Sequence, residues 1–364
     1  MLKSLSEIAT ITMGQSPKSS FYNSECNGLP FLQGRTTFGR IYPYFDTWTT
    51  SWNKECDKDD ILFTVRAPVG DVNIAQTKIA LGRGVAGIKP RNILPKYLYY
   101  LLYANKSTFT ASSSGTIYDS INKDQLDNVK LNVHNDVEQR HIVDTIGSID
   151  DLIEKNNEII LKTHNLINNI YLKETNNLEL VKISNLNYFK ICKSGIYEFE
   201  NNKIYLDTAA VSDINIIDES YIIDYEGRPS RANMQPKENT IWFAKLKDSP
   251  KYILIKNQKN LIDNFIFSTG FMGLESENFI VNYLYVLILS KSFTNQKNLL
   301  SNGATMQGIN NEIFNNILVP NVSYNEAKEI GKRLEVYVDL ICELQEKNNK
   351  LKDLKHLLLQ KYFG

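Results

Sequence analysis

Histidine and cysteine are scarce, four of each in 364 residues. Cys26, Cys56, Cys192 and Cys342 stand singly with no C-x-x-C pair, a pattern of reduced thiols rather than of a disulfide framework or zinc site. His134, His141, His164 and His356 fall on or beside long helical patterns without H-E-x-x-H spacing. They are read as lying on a solvated helix face, and no metal site is expected. Net charge is also missing: 41 Lys+Arg face 41 Asp+Glu, so bulk charge argues neither for nor against a nucleic-acid partner. The longest apolar run, YLYVLILS at 283–290, is far short of the ~20 residues of a membrane span. The opening MLKSLSEIAT lacks the apolar core of a signal peptide. These absences predict a soluble, cytoplasmic chain with no membrane partner.

Catalytic signatures are equally absent. There is no G-x-x-x-x-G-K-[ST] phosphate loop and no G-x-S-x-G nucleophile elbow. An adenine methyltransferase would need an Asp/Asn-Pro-Pro-aromatic tetrapeptide, of which DSPKY at 248–252 is only a distant echo. One stretch, LGRGVAGIKP at 81–90, does carry G-x-G-x-x-G at Gly82, Gly84 and Gly87. A dinucleotide fingerprint must open a helix whose N-terminus faces the phosphates. Here Pro90 and Pro95 follow closely and no βαβ unit is in prospect, so the glycines are expected to serve a turn or close packing.

What the chain has is repetition. EKNN occurs at 154–157 and again at 346–349, each time inside a long helical pattern. Upstream, SSSGTIYDSIN aligns with LSNGATMQGIN, pairing Gly115 with Gly303, Ile121 with Ile309 and Asn122 with Asn310. YLYYLL from Tyr97 matches YLYVLI from Tyr283, and DDILF from Asp59 matches NTIWF from Asn239. The same order in both halves means two copies of one module. The period far exceeds that of a solenoid. The expected domains are a globular domain over residues 1–133, a long helix 134–175, a second globular domain over residues 176–320 and a C-terminal long helix 321–364. Runs such as DILFTVRAP, VNIAQTKIAL, NTIWFAKL and KYILIK read as strands, and the two tyrosine-rich runs as buried helices. Residues 1–133 carry 15 Lys+Arg against 11 Asp+Glu, and 176–320 carry 14 against 15, so any nucleic-acid surface is a local patch.

In the first long helix Ile142, Ile146, Ile149, Ile153, Ile160 and Ile167 step by threes, fours and sevens, with Asn156 and Thr163 filling gaps. In the second, Leu334, Tyr337, Ile341, Leu344, Leu351 and Leu358 do the same, with Asn348 and Lys355 interrupting. Such stripes bury against another helix, and an antiparallel pair about 50–60 Å long is expected to hold the two globular domains apart.

At these residues the chain resembles the specificity (S) subunit of type I restriction-modification systems. The resemblance rests on LSEIATITMGQSPKSSFYN, GLPFLQGRTTFGRIYP, DDILFTVRAPVGDVNIAQTKIALGRGVAGIKP and VEQRHIVDTIGSIDDLIEKNN in the first half. In the second it rests on GRPSRANMQPKENTIWFAKLKDSPKYILI, SNGATMQGIN and the closing helix. It departs where no proline precedes the first long helix, whereas Pro320 stands before the second. Glu138–Gln139 is matched in the second copy by EA or IG, depending on the offset. The resemblance implies an α+β chain of two similar mixed α/β target-recognition domains, separated by two long antiparallel coiled-coil helices in a pseudo-two-fold repeat. It implies a subunit non-catalytic by itself that reads double-stranded DNA, each domain taking one half of a bipartite target. Its partners would be two methyltransferase (modification) subunits, and translocase-nuclease (restriction) subunits in the full complex. S-adenosylmethionine, ATP and magnesium would belong to those partners, with no cofactor in this chain. A coiled-coil scaffold binding protein partners without DNA readout is the alternative.

Reading DNA takes cations, hydroxyls and amides on phosphates and base edges. In the first domain QGRTTFGR supplies Gln33, Arg35, Thr36, Thr37 and Arg40, flanked by Arg66 and Arg83. Arg66 reads equally well as a structural ion-pair partner. In the second, GRPSRANMQ supplies Arg228, Ser230, Arg231, Asn233 and Gln235, with Lys245 and Lys247 beyond. The repeated glycine loops add Ser113, Thr116 and Tyr118 in one copy and Asn302, Thr305 and Gln307 in the other.

Overall fold

The structure is a computed structural model that describes residues 1–112, 120–217, 219–302 and 307–364. The chain divides into two compact units, one of residues 1–153 with 351–364 and the other of residues 154–350. The division falls inside both long helices rather than at their starts. The reason lies in the stripes: Ile142 and Ile146 pack into the core around Tyr97 and Leu98, whereas Ile160 and Ile167 pack with Tyr283 and Leu287.

Unit 1 is built on a four-stranded antiparallel sheet in the order Ala9–Met13, Val85–Pro90, Ile61–Thr64, Val72–Ile74. Side chains alternate across a strand. Ile61, Phe63, Ala86 and Ile88 therefore face the core shared with the helix Pro95–Ala104, while Leu62 and Val85 face a second core with Leu32, Ile79 and Leu81. Because both faces are covered, Ile61–Thr64 reads as an unbroken apolar run instead of an alternating one. The second core lies under a five-stranded sheet of short strands in which Leu29–Leu32 runs parallel to Ile79–Leu81. VNIAQTKIAL is thus two strands, Val72–Ile74 and Ile79–Leu81, bending between them to cross from one sheet to the other. Pro95 opens the following helix at a position that needs no amide hydrogen bond, and six consecutive residues, Tyr97–Leu102, are buried.

Unit 2 repeats this plan. Its four-stranded antiparallel sheet has the order Phe189–Ile191, Phe271–Ser276, Thr240–Ala244, Tyr252–Ile255. Lys203–Leu206 runs parallel to Phe265–Ser268, and the helix Asn278–Leu289 covers the sheet. The aligned isoleucines are equivalent in fact: the Ile121 amide donates to Val65 O at 3.0 Å and the Ile309 amide to Lys245 O at 3.1 Å.

The long helices are Asp136–Thr175 and Tyr324–Phe363. Each begins with a capping box. Asn135 Oδ1 accepts the Glu138 amide while Glu138 accepts the Asn135 amide, both at 3.0 Å. Ser323 and Glu326 do the same in the second copy. The caps make Glu138 equivalent to Glu326, so Gln139 matches Ala327, and both are buried. Within each unit the helices run antiparallel, Asp150 meeting Lys355 in unit 1 and Glu174 meeting Arg333 in unit 2. Ile142, Ile146, Ile149, Ile153, Ile160, Ile167, Leu334, Ile341 and Leu344 are buried. Leu351, Leu358 and Tyr337 are only half-buried, and Val338 and Leu359, each one residue on, take the inner positions. The EKNN repeats meet each other: Asn156 Nδ2 donates to Asn348 Oδ1 at 2.8 Å, and Asn348 Nδ2 to Asn157 Oδ1 at 2.9 Å. A buried asparagine pair satisfied only in one alignment holds helix register at some cost in stability.

Two of the four histidines, His134 and His164, are half-buried rather than on a solvated face, whereas His141 and His356 are exposed. The tyrosine-rich helices present hydroxyls to the first two, Tyr97 bonding His134 and Tyr285 bonding His164, while the exposed His141 bonds Tyr362 of the C-terminal helix. His356 alone bonds within its own helix, to Gln360. Burial pushes the His164 imidazole down to about 4 from an ordinary 6.5. A depressed pKa means the fold holds the neutral ring, so the stability it supports is present above pH 6.5 and lost as pH falls towards 4. Stability should drop by about 2 kcal/mol more between pH 7 and 5 than in His164→Gln. Urea unfolding at the two pH values measures this, and an equal loss in both proteins would contradict it.

Candidate nucleic-acid interface

Three chain segments converge at one edge of unit 1. The strand Leu29–Leu32 runs into a segment with a tight turn at Arg35–Thr37. The strand Ile61–Thr64 runs out towards Arg66, and Gly82–Gly84 joins Ile79–Leu81 to Val85–Pro90. Together they line a cavity of about 150 Å³ whose walls include Gln33, Arg35, Arg66 and Arg83. Four residues from three separated chain segments thus share one slot.

The glycine run explains how they come so close. The Gly82 amide donates to Leu32 O and the Gly84 amide to Gln33 O. A Cβ on Gly82 would stand 2.8 Å from Gln33 Cα, and one on Gly84 would stand 2.4 Å from Gln33 O. Only glycine allows that approach. A strand follows rather than a helix N-terminus, so no phosphate cradle forms.

Electrostatically the slot is cationic. Arg35 Nε lies 2.8 Å from Asp71, which Lys106 also engages, and this pins a side chain that remains well exposed. Arg66 and Arg83 are exposed and, among the described residues, have no carboxylate partner. Thr36 is exposed and its carbonyl accepts the Tyr44 hydroxyl. Thr37 is buried, and its carbonyl accepts the Tyr44 amide, so its side chain does not face solvent. Arg40 turns away from the slot towards Asp150. Ser113, Thr116, Tyr118 and Thr305 lie outside the described residues.

The matched edge of unit 2 has other chemistry. The Lys245 amide donates to Gly270 O as the Val65 amide does to Gly84 O, which makes Leu246 the counterpart of Arg66 and Thr269 that of Arg83. Lys245 Nζ donates to Thr269 O, and burial pushes its ammonium pKa down. Arg231 is exposed beside it, its carbonyl accepting the Thr269 amide. Lys247, Asn302 and Gln307 are exposed and gathered by main-chain bonds, Lys247 N to Gln307 O and Asn302 N to Gly308 O. Arg228 stacks 4.0 Å over the Tyr225 ring and donates to the Tyr225 carbonyl. Ser230 is exposed, Asn233 is half-buried with its carbonyl accepting the Gly195 amide, and Gln235 accepts the Tyr197 amide. Arg228 therefore serves its own segment, and Gln235 ties its segment to the one at Tyr197.

Lys297 escapes a reading of the sequence. It is buried, and its Nζ donates to Ala244 O, Leu246 O and Ser249 O, shaping the segment that carries Lys245 and Lys247. Burial pushes it down to about 8. A lysine within an amphipathic helix gives no local sign of this.

Residues 1–165 match the family model described as the type I restriction modification DNA specificity domain. The MjaX type I restriction enzyme specificity subunit of Methanocaldococcus jannaschii is 42% identical over 167 residues, 44% of this chain and 39% of the relative. The MjaIX specificity subunit of the same organism is 27% identical over 176 residues, 44% of this chain and 41% of the relative. The chain spans about two fifths of the length of these curated relatives. In fold it is similar to the solved S subunit of a type I restriction-modification system from M. genitalium, with a TM-score of 0.57 over 100% of this chain and 96% of that one at 17% identity. Residues 1–165 are thus similar to the DNA specificity domain of type I restriction-modification systems, and the chain resembles type I specificity subunits over 44% of its length.

Proposed function

We propose that this chain is the DNA-reading component of a type I restriction-modification complex and is non-catalytic by itself. Each unit would take one half of a bipartite target, with the long helices setting the gap and docking methyltransferase subunits. The observation that carries this reading is the slot of Gln33, Arg35, Arg66 and Arg83 in the unit that matches a DNA specificity domain. Two guanidiniums without acidic partners among the described residues suit phosphate oxygens or the paired acceptors of guanine. Ile159 and Leu166, seven residues apart on one helix face and each 43% exposed, support a protein partner on the central helix.

Binding of duplex DNA measured against salt concentration tests the reading. Each phosphate neutralised adds about 0.9 to the slope of log affinity on log salt, so a steep slope is expected. Absence of binding across the salt range would favour the second reading, a scaffold whose helices hold protein partners. The observation behind that alternative is the loss of both arginines from the matched edge of unit 2, where Leu246 and Thr269 stand.

A further inference from the structure

The segment that carries Gln33 and Arg35 into the slot ends at Arg40, and Arg40 is fastened to the central helix. Its Nη1 donates to Asp150 Oδ1 at 3.2 Å and its Nη2 to Asp150 O at 2.7 Å. The Tyr99 hydroxyl donates to Arg40 O at 3.1 Å. The Asp150 side chain is 1% exposed. It also accepts the Tyr100 hydroxyl at 2.8 Å and Lys355 Nζ at 2.9 Å. A carboxylate so buried is tolerable only when fully bonded, so its geometry is over-determined. Four chain segments thereby share one rigid point: the slot segment, the buried tyrosine helix and both long helices.

Unit 2 ties its matching segment at the same place by other means. Gln345 Nε2 of the C-terminal helix donates to Ile214 O at 2.9 Å, in the segment that follows the strand Lys203–Leu206. Next to each tie the segment also bonds the fourth strand of the sheet, Ile74 N to Ile41 O in unit 1 and Tyr252 N to Asp213 O in unit 2. Two copies that diverged in nearly every side chain here have each kept a helix-to-segment tie. A role confined to packing would not require a polar group at this point in both.

From this we infer that Asp150 and Gln345 are positioning residues for DNA reading, each setting the aim of one unit's recognition segment. The inference rests on the DNA-reading proposal above. The direct test selects bound duplexes from a randomised pool with the full-length chain and sequences them. The wild type should enrich a bipartite site. Asp150→Asn should lose most base preference in one half, by tenfold or more, and keep the other; Gln345→Leu should do the converse. Arg40→Met breaks the unit 1 tie from its exposed end while Tyr100 and Lys355 still bond Asp150, so it should repeat the Asp150→Asn result in a folded protein. Retention of both preferences in Arg40→Met and Asp150→Asn, or equal loss of both halves, overturns the assignment. Should the wild type enrich no sequence, the DNA reading itself has failed. Amide exchange of residues 34–40 then decides the tie alone: a tenfold rise in Arg40→Met upholds it and an unchanged rate sinks it.

Discussion

Lys355→Met is expected to lower the unfolding free energy by about 3–5 kcal/mol, the cost of leaving a buried charge without its partner. The Lys355 side chain is 12% exposed and sits against both oxygens of Asp150. Burial pulls its ammonium pKa down while the Asp150 charge pushes it up, so the pair coexists in balance and neither member is comfortable alone. Arg40 and the Tyr100 hydroxyl still reach Asp150 in the variant, which places the effect towards the lower end of that range. By the alignment of the helix caps the counterparts in unit 2 are Val338 and Ile167, both buried and apolar, so a helix pair of this kind closes without an ion pair there. The double variant Asp150→Leu/Lys355→Met should therefore recover most of the loss. Urea unfolding of the two single variants and the double variant gives the coupling directly. A single variant that costs under about 1 kcal/mol would show the pair to be no more than a surface bridge.

Removing the two slot guanidiniums that have no carboxylate partner among the described residues, Arg66 and Arg83, should have the largest effect on binding. Arg66→Ala/Arg83→Ala is expected to weaken duplex binding roughly 100-fold near 0.1 M salt and to reduce the salt slope by about two. Both side chains are exposed and on loops, so thermal unfolding should stay close to that of the wild type. Unequal weakening across sequences would assign one of the two to a base edge instead of a phosphate. Undiminished binding with an unchanged slope would move the DNA contact away from this edge altogether. Arg35 makes a poorer first target, since its bond to Asp71 means its removal also disturbs Lys106.

Local pattern was enough for the repeat, the strand and helix types and the long helical stripes. Ile61–Thr64 and Thr240–Ala244 announce themselves by unbroken apolar β-branched and aromatic residues, and the helix starts by Asn135-x-x-Glu138 and Ser323-x-x-Glu326. These signals act over a few residues, where spacing and backbone preference decide. What spacing could not supply was phase to one residue, which is why Val338 and Leu359 rather than Tyr337 and Leu358 turn inward.

The side chains of the candidate interface were a different matter, because a guanidinium on a flexible stem takes whatever acceptor the fold brings to it. Arg35, Arg40, Arg66 and Arg83 look alike in sequence. Contacts made tens of residues away give one to Asp71, bury the business end of another on Asp150, and leave two free of carboxylates among the described residues. The same holds for G-x-G-x-x-G, whose meaning came from Gln33 pressing against it, and for Lys297, whose three carbonyls lie about fifty residues back along the chain. Two copies of one module and two amphipathic helices are written into the order of the residues, since short-range periodicity needs nothing beyond neighbours. Which cations reach solvent and which hold the frame was settled only by folding, since that depends on desolvation and on partners that no neighbouring residue can reveal.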